Sequence, residues 1–209
     1  LSLPKPEISK AVVAELLAGG NKPALVIETS TITPKVAREL GAACSAAGVA
    51  FVDAAIGSGC DSLGLRLHRS PNLPFHPVVG DQDLIREMRA RLTERELPVL
   101  DIFTFYLAPD CDFDLFRQSL ELGASFGARY ALVQGDDPIE ARLLDTFARF
   151  CDLAQGFSLT AMVEFNPARP LATLTHATRL LEVANRRNAG ICVDPLHLAR
   201  SGGRPDDLR

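Results

Sequence analysis

Apolar residues recur along the chain in two rhythms, short unbroken runs and longer stretches with apolar positions three and four apart. From about residue 60 the two alternate regularly. The runs at 62–67, 99–105, 130–134, 160–165 and 189–194 predict strands, and the stretches at 83–96, 113–126, 139–155 and 173–187 predict helices. Asp81, Asp112 and Thr173 stand where a short side-chain oxygen can cap the first turn of a helix. Strand starts lie about 30 to 37 residues apart, the length of one parallel strand plus its crossover helix. Successive units of this kind demand a parallel sheet, and even spacing without a glycine fingerprint favours a (β/α) TIM-barrel arrangement over a doubly wound one.

The first sixty residues alternate as well, with helices predicted at 6–18 and 34–47 and strands at 25–28 and 50–55. Their joint with the remainder of the chain is unusual, because a parallel crossover needs a dozen or more residues and only a short link separates 55 from 62. The two strands pair antiparallel, or one is not a sheet strand, or the joint is a seam between unlike pieces. We place the seam at Gly57-Ser58-Gly59 and expect two parts, 1–59 and 60–209. Five strand candidates after residue 60 fall short of the eight that close a barrel, so the expected fold is α/β, parallel and TIM-barrel-like but open or incomplete.

Composition narrows the function classes. At 47% hydrophobic and 23% charged, the 209 residues have globular rather than disordered character. Twenty-two Lys and Arg against 26 Asp and Glu give a net charge of −4, with no basic run to neutralise phosphates, so nucleic acid is not an expected partner. The longest uncharged run, residues 40–52, is too short to span a bilayer, so neither is a membrane. Five scattered cysteines without a CxxC suggest reduced thiols and a cytoplasmic setting.

Glu164 and Asp194 each end an apolar run, at the C-terminal tips of neighbouring strands, where parallel α/β folds place their sites. Two carboxylates brought together there attract a hard cation or share a proton; placed apart, they cap loops or pair with Arg. His197 follows Asp194 by three residues and can turn its imidazole toward a substrate hydroxyl or carbonyl. Asn166, Arg66, His68 and Gln134 lie at or just beyond strand ends, as candidate contacts for hydroxyls or phosphate.

Two stretches carry resemblances to known families. Glu28-Thr-Ser-Thr-Ile-Thr-Pro34 and Phe51-Val-Asp-Ala-Ala-Ile-Gly-Ser-Gly59 resemble part of the 3-hydroxyisobutyrate and 6-phosphogluconate dehydrogenase superfamily, a Rossmann-derived segment. Ala55 stands where that family carries Pro, and Gly57-Ser58 where it carries Ser-Gly. The phosphate-cradling G-x-G-x-x-G loop is missing, so no NAD binding is expected of this segment.

Residues 60–209 are similar to the xylose isomerase-like TIM barrels, a family of sugar isomerases and epimerases. The match rests on Met162-Val-Glu-Phe-Asn-Pro167 and Gly190-Ile-Cys-Val-Asp-Pro-Leu-His197, with Cys60-Asp-Ser-Leu-Gly-Leu-Arg-Leu67 reading like a second strand. The resemblance implies a weakly held Mn²⁺ or Mg²⁺ on Glu164 and Asp194, Glu164 as catalytic base, and His197 on the substrate, a sugar or sugar phosphate. It also implies further ligands, a His and a Glu, on strands beyond Arg209, which leaves turnover by these residues alone in question. Competing expectations are a dehydrogenase-related protein, and a non-catalytic interaction protein whose open sheet edges pair with another copy.

Overall fold

The computed structural model describes residues 6–19, 25–28, 34–53, 62–68, 78–94 and 96–208. The chain divides into two compact units, Leu1–Asp61 and Ser62–Arg209. The expected seam at 57–59 lies outside the described residues.

In the first unit, α1 (Pro6–Ala18), β1 (Leu25–Glu28), α2 (Pro34–Ala46) and β2 (Ala50–Asp53) follow one another, and β1 and β2 pair in parallel from Leu25↔Ala50 to Glu28↔Asp53. A small core of Val13, Val36, Leu40, Cys44 and Val49 joins the helices.

The second unit holds β3 (Leu63–Leu65), α3 (Gln82–Glu94), β4 (Val99–Leu107), α4 (Phe113–Ser125), β5 (Tyr130–Gly135), α5 (Glu140–Gln155), β6 (Thr160–Glu164), α6 (Leu174–Ala184), β7 (Ala189–Cys192) and α7 (Pro195–Arg200). The strands form one five-stranded parallel sheet in sequential order, β3-β4-β5-β6-β7, with β3 and β7 at its edges. The expected open parallel α/β sheet is thus the observed one. Since β2 and β3 belong to different sheets, the short link between them has no crossover to make.

Three of the helices begin where the sequence predicts. The Asp112 carboxylate accepts from the amides of Asp114 and Leu115, Thr173 Oγ1 accepts from His176, and Asp81 Oδ1 accepts from Leu84. The turn from α6 to β7 is tied back onto α5 by paired hydrogen bonds from Arg186 to Asp152, and by Asn188 Nδ2 donating to the carbonyls of Cys151 and Leu159.

The two faces of the sheet differ. Ile102, Phe105, Leu107, Ala131, Val133, Ala161 and Val163 point to one side and are buried against the helices, in a core that includes Phe116, Phe147 and Phe150. Helix α4 approaches β4 through Gly123, where an added Cβ would lie 2.5 Å from Ile102 Cδ1. Register sets the other face. Asp101 pairs with Tyr130, Tyr106 with Gln134, and Glu164 with Cys192, so these side chains alternate with the buried ones and share the opposite side, together with Met162. Apart from Gln134, which is buried, they are half-buried.

Candidate metal and substrate site

The second face carries the chemistry at the C-terminal ends of its strands. Glu164 is the last residue of β6. Asp194 follows β7 as the N-cap of α7, where its Oδ1 accepts from the amides of Leu196 (2.7 Å) and His197 (3.2 Å), with Pro195 opening the helix. This cap folds His197 back toward the strand ends. The outcome is that Glu164, Asp194 and His197 each bring one potential ligand atom within 4.8 Å of the others.

Neighbouring groups orient the cluster. Gln134 Nε2, on the adjacent strand, donates to Glu164 Oε2 and leaves the other carboxylate oxygen for a cation or a proton. Capping uses one oxygen of Asp194 and leaves the second. His197 Nδ1 is buried without a hydrogen-bond partner among the described residues. Between the carboxylates, Cys192 has its thiol pushed up in pKa by burial, and further by the charges of Glu164, Asp101 and Asp194, so it stays protonated and is a poor ligand. Burial also raises the Asp101 carboxyl. Two carboxylate oxygens and an imidazole, held close with donor capacity unspent, are a donor set that fits a divalent ion.

The other expected contacts separate into two groups. Arg66 belongs to the same face: Gly64, two residues earlier, sits under Asp101 and Phe103, and the Arg66 guanidinium lies 5.2 Å from the Phe103 ring centroid. Its Nη1 is buried and unpartnered among the described residues. Asn166 serves its own loop, with Oδ1 accepting from Ala168 and its carbonyl from Arg169. His68 is 4% exposed and stacked in the helix-facing layer, 4.7 Å from Phe105 and 5.9 Å from Phe116. Burial lowers its pKa to about 4, against a hydrogen bond to the Thr104 backbone, and among the described residues it is not one of the three converging ligands.

Gln134 as the orienting partner of Glu164, and the loop residue Arg169, go beyond the sequence reading. Arg169 Nη1 donates to Asp136 Oδ2 (2.9 Å) and its guanidinium lies 4.9 Å from the Tyr106 ring centroid. A strand-end polar residue such as Gln134 is a visible signal; an Arg in a loop is not. A separate groove of about 270 Å³ on the helical layer, lined by Glu140, Leu144, His176, Arg179 and Val183 among others, includes none of the three converging residues.

A parallel sheet with carboxylates and a histidine gathered at its C-terminal edge defines the class: an α/β protein of TIM-barrel type with a candidate metal site. Among solved structures, the chain is similar to a xylose isomerase-like TIM barrel/4-hydroxyphenylpyruvate dioxygenase fusion protein (16% identity, TM-score 0.58, covering 74% of this chain and 26% of that one). It is similar to an IolI protein with a bound zinc atom (16%, 0.58, 85% and 63%) and to a D-psicose 3-epimerase (14%, 0.52, 68% and 56%). The chain thus spans between about a quarter and just under two thirds of these proteins, and the likeness establishes the fold. Residues 1–63 match the family model for the NAD binding domain of 6-phosphogluconate dehydrogenase. No curated protein matches the sequence. Both resemblances expected from the sequence are therefore found, the dehydrogenase-type one over residues 1–63. The match to an NAD binding domain stands against the expectation of no NAD drawn from the missing G-x-G-x-x-G loop. No helix among the described residues is long and apolar enough to cross a membrane.

Proposed function

We propose that the Ser62–Arg209 unit is a sugar or sugar-phosphate isomerase or epimerase module whose Glu164, Asp194 and His197 hold a divalent metal, Mn²⁺ or Mg²⁺. The observation that carries this reading is the convergence of those three side chains at the strand ends of a xylose isomerase-like fold. When bound, the metal stabilises negative charge on a sugar oxygen next to the reacting carbon. Gln134 donates to Oε2 of Glu164, whose second lone pair could still meet the metal, and the other oxygen can then take a proton from the carbon beside a carbonyl. The second oxygen of Asp194 and the imidazole of His197 anchor the opposite side. Three protein donors leave several positions of a six-coordinate ion to water or sugar hydroxyls, so binding should be weak. The free thiols Cys44, Cys111, Cys151 and Cys192 support a reducing, cytoplasmic setting.

Electron paramagnetic resonance of free Mn²⁺ titrated with the chain tests the site. We expect a dissociation constant on the order of 10⁻⁴ to 10⁻³ M, as at the weakest oxygen-rich sites, lost in Glu164→Gln and Asp194→Asn and weakened in His197→Ala. Hydrogen–deuterium exchange of D-fructose at the carbon beside its carbonyl, followed by NMR, then reports proton abstraction. Binding unchanged by both carboxylate substitutions would overturn the proposal. The match at residues 1–63 favours a second reading, a nicotinamide-binding remnant. Saturable quenching of NADPH fluorescence would support it.

A further inference from the structure

We infer that the site takes a substrate with an acidic group at one end, read by Arg169 with Arg66 beside it, while the carbonyl end meets Glu164, Asp194 and His197. This inference rests on the proposed metal site and adds the substrate class. The geometry follows the strands. Tyr106 on β4 is in register with Gln134 on β5, and Gln134 donates to Glu164 on β6. Arg169 lies over the Tyr106 ring, so its guanidinium sits two strands, or about 10 Å, from the carboxylate end of the row. That separation suits an extended sugar with a terminal anion.

Both guanidiniums are placed to act on a ligand. Arg169 is held on its flat face by Tyr106 and at Nη1 by Asp136, which leaves Nε and Nη2 as donors at a half-buried position. The loop that carries it is fixed from both sides, by the Asn166 carbonyl accepting from the Arg169 amide (2.8 Å) and by the Leu171 amide meeting the Gly135 carbonyl (3.5 Å). One strand further out, Arg66 stacks on Phe103, with a buried Nη1 that is unpartnered among the described residues. A buried cationic donor without an acceptor is costly, and an anionic ligand oxygen would satisfy it. On this face Arg66 and Arg169 lie toward β3 and β4, with Asp101 on β4 and Asp136 beside Arg169, while Glu164 and Asp194 lie toward β6 and β7. A phosphate or a carboxylate would be read by the same donors.

The test uses the full chain and four probes: inorganic phosphate, D-fructose 6-phosphate, D-glucuronate and neutral D-fructose, each titrated calorimetrically with and without Mn²⁺. We expect the better acidic sugar to bind about tenfold or more tightly than D-fructose, as one charge-assisted hydrogen bond allows. Whichever of phosphate and carboxylate is preferred identifies the group. Arg169→Gln and Arg66→Gln should erase the preference while leaving Mn²⁺ binding in place. Asp136→Asn separates recognition from loop tying: it should keep or strengthen acid binding, whereas a merely structural Arg169 would make it behave like Arg169→Gln. Equal affinity for acidic and neutral sugars, or equal weakening of both by Arg169→Gln, overturns the inference. Absence of Mn²⁺ binding with acid preference intact would overturn the metal reading alone, and the phosphate titration without metal still reports on Arg169.

Discussion

Acidification below about pH 6.5 should weaken the protein through His68. The ring is stacked between Phe105 and Phe116 at 4% exposure, and burial lowers its pKa from 6.5 to about 4. The unfolded chain therefore takes up a proton near pH 6.5 that the folded chain refuses until about pH 4. Across that window the unfolded state binds more protons, so stability rises with pH and is lost as pH falls. At about 1.4 kcal/mol per pH unit, the loss is ~2 kcal/mol by pH 5 and ~3 kcal/mol once both states are protonated. The chain has no Trp, so urea unfolding is best followed by circular dichroism of its helices, at several pH values between 7.5 and 4.5. His68→Leu removes the titrating ring; its absolute stability can differ, but its curve should be flatter by that ~2 kcal/mol at pH 5. Parallel curves for the two proteins, or an NMR titration placing His68 near its ordinary value, would refute the buried placement and restore this residue as a candidate substrate contact.

Packing and charge set further outcomes. Gly123→Ala should destabilise by about 1–3 kcal/mol in thermal melts, because the new methyl meets branched Ile102. Gly190→Ala should cost much less, since the nearest atom, at 2.8 Å, is the sulfur of flexible Met162. Asp137, held below the usual carboxylate range chiefly by its hydrogen bonds from Arg142, contributes stability that is present above the unfolded value near 3.8 and lost as pH falls through the lower folded one. Asp137→Asn should flatten the acid limb of the stability curve below that pH.

How far the sequence reached depended on what each signal measures. Strand and helix positions in the second unit were readable because the three central strands bury one face against helices and the helices bury one stripe, which is what periodicity reports, while the half-buried edge strands still show as short apolar runs. Helix α7 was missed, although Asp194-Pro195 is a start signal, because it is too short to show a period. Glu164 and Asp194 were legible as neighbours because consecutive parallel strands end on the same edge. His68 shows where such counting stops. Strand β3 ends at Leu65, and three residues later the alternation of faces no longer holds, so a strand-end histidine turned into the aromatic layer. Arg169 was illegible for a different reason: its place over Tyr106 is set by the turn at Asn166 and by register across three strands.

The arrangement of charge on the open face links coordination to orientation. Asp101, Glu164 and Asp194 lie close enough to act together on the Cys192 thiol, and like charges gathered there repel one another. A cation between Glu164 and Asp194 would relieve that repulsion locally without touching Arg66 or Arg169, which sit over Phe103 and Tyr106 on the same face, toward β3 and β4. In the proposed site Glu164 and Asp194 would hold a metal toward β6 and β7, and the donors left on Arg66 and Arg169 would hold an acidic group toward β3 and β4. A ligand with a carbonyl at one end and an acid at the other would then enter in one direction only. Directional entry matters for proton abstraction, because the carbon that loses its proton must face the free oxygen of Glu164, and reversing the ligand would present the wrong end. If Glu164 abstracts the proton as proposed, the position of Arg169 two strands away would bear on which carbon reacts as well as on how tightly the substrate binds.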